Sequence, residues 1–130
     1  MRVLDAHAVL AYLGNEAGWV TVEARLREAA RTQPLRMCTV NWGEVLYVVA
    51  RLRGGAQAEK TAEALEHLPI RLETADKELA RAAALLKARY RVPYADCFAA
   101  ALAQRLSVPL LTGDRDFRPL AKVIDLDWIA

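Results

Sequence analysis

The chain has 130 residues, eighteen basic against sixteen acidic side chains for a net charge of +2, and 55% hydrophobic content. That is the size of one domain with enough apolar side chains for a substantial core, so residues 1–130 are expected to form a single domain. No stretch approaches the roughly 18 uncharged apolar residues of a membrane-spanning helix, and +2 is too weak to announce a nucleic-acid binder by charge alone.

The chain opens MRVLDAH, where an acid at position five interrupts any apolar signal region, so a soluble, cytoplasmic protein is expected. Arg2-Val3-Leu4 reads as a short strand ending at Asp5, and Ala8 to Leu13 as a helix stopped by Gly14-Asn15. Glu16 to Arg31 has helical periodicity with Trp19, Val20, Val22 and Leu26 on its apolar side. A second strand, Leu35 to Val40, is followed by Asn41, a good N-cap for a helix Trp42 to Leu52 that presents Val45, Leu46, Val48 and Val49 to the core. Gly54-Gly55 ends it, and Ala56 to Leu68 is again helical.

Pro69 to Leu72 is a third strand, and Thr74 caps a helix Ala75 to Tyr90 that carries Asp76 and Glu78 where the dipole favours acids. Pro93 opens a helix Tyr94 to Leu106, and Val108 to Leu111 and Val123 to Leu126 supply two last strands. Strands alternating with helices imply a mostly parallel sheet covered on both faces. Cys38 and Cys97 share no metal-ligand spacing with each other or with His7 and His67, and read as buried reduced thiols. The basic runs Arg51 to Arg53, Lys87 to Arg91 and Arg115 to Lys122 read as solvated faces and helix C-termini.

Open α/β sheets hold their sites beyond the carboxyl ends of the strands. Asp5, Glu44 and Asp114 each follow a strand, and Asp96 joins them if its helix starts at the same edge. Asp96 is flanked by apolar residues on nearly every side, so its carboxylate either caps its own helix or binds a cation. Glu44 reads equally well as a first-turn acid of its helix. Asp5 has no propensity that recommends it at a strand end. Several carboxylates in one pocket repel each other, and only protons or hard cations neutralise them, which is the makings of a divalent-metal site. Thr112-Gly113-Asp114-Arg115-Asp116-Phe117 adds a hydroxyl and a further acid on a turn.

Four segments together resemble the PIN domain, and specifically the VapC-type ribonuclease toxins of toxin–antitoxin pairs: Val3-Leu4-Asp5-Ala6, Thr39 to Val45, Tyr94-Ala95-Asp96-Cys97, and Leu111 to Phe117. The resemblance covers nearly the whole chain. It implies a PIN-like three-layer fold with a mostly parallel five-stranded sheet. It also implies that Asp5, Glu44, Asp96 and Asp114 bind Mg²⁺ or Mn²⁺, with Asp116 as a fifth member and Thr112 and Asn41 as supporting hydrogen-bonding groups. Where the family commonly has a small hydroxyl residue two positions after the first Asp, this chain has His7.

The implied activity is hydrolysis of single-stranded or loop RNA, the ion activating water and stabilising charge on phosphorus. Arg115, Arg118, Arg51 and Arg53 are candidates for holding the RNA backbone. A VapB-like antitoxin is the implied partner, docked near the acidic groove with an Arg or Lys at the metal position. A homodimer is also implied, with Trp19, Trp42, Tyr47 and Tyr12 as interface candidates. Two other readings compete: an aspartyl-phosphate phosphatase or receiver domain, for which the second Asp and the late Lys are missing, and an inactive RNA- or protein-binding module of the same fold.

Overall fold

The computed structural model describes residues 1–130. Its elements run β1 (Val3–Leu4), α1 (Ala6–Leu13), α2 (Trp19–Arg31), β2 (Leu35–Cys38), α3 (Thr39–Arg53), α4 (Gly55–Glu66), β3 (Ile70–Glu73), α5 (Lys77–Arg89), α6 (Tyr94–Leu106), β4 (Leu110–Thr112), a 3₁₀ turn (Arg115–Leu120) and β5 (Leu126–Trp128). All five strands pair in parallel, in the order β3-β2-β1-β4-β5. The chain therefore winds outward from β1 through β2 to β3, then returns to the other side of β1 with β4. That reversal makes the carboxyl ends of β1 and β4 the switch point at which an open α/β sheet leaves a crevice.

Alternation along the strands sends side chains to two cores. Val3, Cys38 and Leu110 pack with α5, α6 and the 3₁₀ turn, including Leu79, Phe98 and Phe117. Leu4, Met37 and Leu111 face the other way, against α1, α2, Val45 of α3 and Leu65 of α4. Helices thus cover both faces of the parallel sheet, the three-layer α/β arrangement expected from the strand–helix alternation. Helix α6 is apolar all round because it is buried along Cys97 to Ala103, and its alanines permit close approach to the sheet.

Several boundaries and faces differ from the sequence reading. Helix α2 starts at Trp19, after Gly18 in a left-handed conformation at φ +91°, and Val20 points to solvent rather than to the core. Strand β2 stops at Cys38 and α3 begins at once with Thr39, so Asn41 lies inside the helix and Cys38 is its N-cap. Of the four α3 residues assigned to the core, Val45 is buried, whereas Leu46, Val48 and Val49 are half-buried. Asp76, rather than Thr74, caps α5, accepting from the Leu79 N–H at 2.8 Å and pairing with Arg105 at 3.1 Å. The last strand forms over Leu126–Trp128, two or three residues beyond the Val123 to Leu126 expected, because Leu126 is the residue in register with Leu110. Both cysteines are free and buried.

Candidate functional site

Asp5 leaves β1 directly at the switch point and doubles as the N-cap of α1. Its Oδ1 accepts from the Ala8 N–H at 2.8 Å, and its Oδ2 accepts from the Thr112 hydroxyl at 2.5 Å. Thr112 is the last residue of β4, fully buried, and its Oγ1 also accepts from the Asp114 N–H at 2.9 Å. One hydroxyl therefore ties the ends of the two central strands together and sets the position of two acids. Asp114 in turn caps the 3₁₀ turn, accepting from the Asp116 N–H at 2.9 Å.

The other two acids come from the helices that approach this edge. Helix α6 begins after Pro93, whose missing N–H is no loss there, so Asp96 falls in its first turn. The alternative in which Asp96 caps its own helix is excluded: the N-cap is Pro93, no side-chain cap bond is made, and the Asp96 side chain is buried instead. Glu44 lies in the second turn of α3 rather than the first, which removes the simple dipole explanation for it. Asn41 connects the two helices. Its Nδ2 donates to the Ala95 carbonyl at 3.0 Å and reaches Glu44 Oε1 at 3.5 Å, while its Oδ1 is buried without a partner.

The structure thus brings Asp5, Glu44, Asp96 and Asp114 within electrostatic reach of one another, and Asp116 with them. Carboxylate oxygens of Asp96, Asp114 and Asp116 lie within 4.8 Å of each other. Burial pushes the Asp96 carboxyl up to about 8, with the charges of Asp114, Glu44, Asp5 and Asp116 adding to the effect. Burial likewise raises Asp5 to about 7 against the lowering pull of its bonds from Thr112 and Ala8, and Asp114 and Glu44 raise it further. Glu44 is also raised, first by burial, with the Asn41 bond opposing and Asp114 contributing. None of the chain's ion pairs includes any of these acids. The donor set is all carboxylate oxygen, the chemistry that hard divalent cations select, and several mutually repelling acids with no basic partner fit such an ion.

His7 stands exposed at the mouth of this pocket against Gly113. A Cβ on Gly113 would come 2.7 Å from His7 Cε1, so the glycine makes room for the imidazole. Arg51 and Arg115, two of the candidate phosphate holders, are engaged locally: the Arg51 guanidinium lies 5.2 Å over the Tyr47 ring, and Arg115 lies 4.5 Å over Trp128 and bonds the Ala130 carbonyl at 3.0 Å. The basic run Lys87 to Arg91, read from the sequence as a solvated face or helix C-terminus, borders Asp116 together with Val92 and Pro93.

A family model described as PIN domain matches residues 2–123. No curated protein sequence matches the chain. Among solved structures, the chain is similar to a DNA-bound VapBC from Salmonella typhimurium, with TM-score 0.75, 14% identity and 100% of both chains covered. It is similar to a sarcin–ricin-loop-cleaving VapC toxin of Mycobacterium tuberculosis, with TM-score 0.73, 20% identity, and 95% of this chain and 96% of that one covered. A toxin–antitoxin complex from Klebsiella pneumoniae aligns with TM-score 0.72 and 12% identity over 100% of this chain and 98% of the other. At these identities the likeness is one of fold.

Proposed function

The chain belongs to the PIN domain family, and from that premise we propose that it is a divalent-metal-dependent endoribonuclease, the toxin of a toxin–antitoxin pair, acting in the cytoplasm. The observation that carries this reading is the convergence of Asp5, Glu44, Asp96 and Asp114 from four separate segments on the switch point of the sheet. Burial and mutual repulsion act on them there with no cation supplied by the protein.

Asp96, Asp114 and Asp116 are the acids whose oxygens stand close enough to share one ion, with Asp5 and Glu44 completing the oxygen set. A bound Mg²⁺ or Mn²⁺ supplies Lewis acidity, making water more acidic and neutralising charge that develops on phosphorus. The rest is done by this chain. Thr112 and the Ala8 N–H hold the Asp5 carboxylate in a single orientation, and Asn41 fixes the distance between the starts of α3 and α6. Gly113 leaves room for the His7 imidazole, which packs against the turn that carries Asp114 and Asp116. In the reaction, a water oxygen bonds to phosphorus and gives up a proton to solvent, the phosphorus–oxygen bond to the leaving sugar breaks, and that sugar oxygen takes up a proton from solvent.

Neighbours of this fold are described as VapBC and toxin–antitoxin complexes, which supports an antitoxin as partner here. A cleft of about 620 Å³ between α1, α3 and α4, lined by Leu10, Leu13, Val48, Val49, Leu52 and Arg53, opens at His7. It suits an amphipathic antitoxin segment that places an Arg or Lys among the acids. A homodimer would use Tyr47, which is exposed, with Tyr12, Trp19 and Trp42, which are half-buried.

The test is RNA cleavage with Mn²⁺ and with EDTA, comparing wild type with Asp96→Asn. Metal-dependent cleavage lost in the variant supports the reading. Equal cleavage by both proteins marks a contaminant and leaves the chain as a binding module.

A further inference from the structure

Beside the acidic pocket, on the side away from His7's cleft, lies a second, open cleft of about 600 Å³, lined by Lys87, Arg89, Tyr90, Arg91, Pro93 and, at one end, Asp116. Asp116 is also a corner of the three-acid cluster, so the basic cleft and the acidic pocket share a wall. No acid neutralises the cations here. None of Lys87, Arg89 and Arg91 takes part in any ion pair of the chain. Lys87 donates to the Val92 carbonyl at 3.0 Å, while the Arg89 guanidinium lies 5.7 Å over the Tyr90 ring and is otherwise exposed, as is Arg91. Immediately beyond Pro93, the Tyr94 ring is 48% exposed and is held edge-on against Phe98 at 5.1 Å.

A groove of arginines without acidic partners, with an exposed aromatic ring at its border, is a combination that tracks a single strand: the cations follow the phosphates while a base stacks on the ring. An A-form duplex offers no unstacked base to such a ring. Resting on the nuclease reading above, we propose that the Lys87–Tyr94 segment is the substrate track of the site. Arg89 and Arg91 contact backbone phosphates next to the scissile one, and Tyr94 stacks a base of the same strand. The net charge of +2 conceals this because the cations are local.

The experiment is fluorescence anisotropy of a labelled single-stranded oligoribonucleotide of about twelve nucleotides, titrated with the full chain in EDTA at several salt concentrations. Arg89→Ala/Arg91→Ala should weaken binding about tenfold or more and reduce the salt slope by about 1.4, two phosphate contacts at ~0.7 each. Arg89→Lys/Arg91→Lys should keep the slope, Tyr94→Ala should weaken binding without changing it, and Arg27→Ala/Arg31→Ala on α2 should change neither. The proposal is overturned if the double alanine variant binds like wild type, if the α2 variant loses as much, or if duplex RNA competes as well as the single strand. The two readings fail separately. Tight, slope-sensitive binding without Mn²⁺-dependent cleavage upholds the track and ends the nuclease reading, whereas cleavage with unchanged KM in the double alanine variant does the reverse.

Discussion

Replacing Asp96 by Asn should make the metal-free protein more stable while abolishing metal-dependent activity. The Asp96 carboxyl moves from an ordinary 3.8 to about 8 on folding, chiefly by burial and then by four neighbouring acids. A carboxyl whose folded pKa is raised binds more protons in the folded state, so stability is lost as pH climbs between the two values and levels off above the higher one. By linkage, a shift of that size corresponds to a ceiling of about 5 kcal/mol at pH 8. Water and counter-ions reach a pocket with an open mouth, which cuts this to about 1–3 kcal/mol. Asparagine resembles the protonated acid and avoids the cost, so the variant's melting temperature should exceed wild type by about 3–10 °C in EDTA at pH 8. At pH 5 the gain should shrink to about a third, because the folded wild type is then protonated. Thermal melts by circular dichroism at both pH values decide it. An Asn variant no more stable than wild type at pH 8, or stabilised equally at pH 5, would refute the account.

Mg²⁺ or Mn²⁺ added to EDTA-treated wild type should raise its stability by about 2.7 kcal/mol at a hundred times Kd; a melt that ignores the ion would speak against an oxygen-ligand site. Thr112→Val removes the hydroxyl that bonds Asp5 and receives the Asp114 N–H, stranding two groups at the strand ends. It should cost about 2 kcal/mol in urea denaturation, and a loss below about 0.5 kcal/mol would show those bonds to be idle. Gly18→Ala puts a Cβ 2.6 Å from Ile129 Cγ1 and 2.9 Å from the Ile129 carbonyl at φ +91°, and should cost about 2 kcal/mol or more. Gly43→Ala in α3, with nothing within 4 Å, should instead be neutral or stabilising by up to about 1 kcal/mol.

What the sequence made readable follows from how local each signal is. Helix α6 was expected over Tyr94 to Leu106 and forms there, because Pro93 fixes its start and Ser107, at φ +55°, its end. The parallel sheet followed from alternation, which needs no detail of any one strand. Asn41 misled because its intrinsic preference is for a cap, whereas a partner 54 residues away, the Ala95 carbonyl, holds it inside the helix. Strand β1 has only two residues, too few for periodicity, and Asp5 stood out instead as an acid with no local reason to be there. The meeting of Asp116 with Arg89 and Arg91 depends on how the 3₁₀ turn lies against the α5–α6 connection, and no local pattern encodes it.

The charge layout separates two demands that conflict. A lysine among the acids would offset their repulsion and stabilise the fold, yet it would also occupy the position a divalent ion needs. The chain instead steadies its acids with neutral donors, the Thr112 hydroxyl, the Ala8 N–H and the Asn41 amide, none of which cancels charge. The repulsion therefore stays in the folded state, where a cation can relieve it and gain binding energy by doing so. Arg89 and Arg91 line a cleft that shares Asp116 with the acidic pocket, and neither forms an ion pair with its acids. An acidic centre with a basic approach is what a polyanionic substrate requires, since the flanking phosphates must be attracted while the ion is left for the one that reacts.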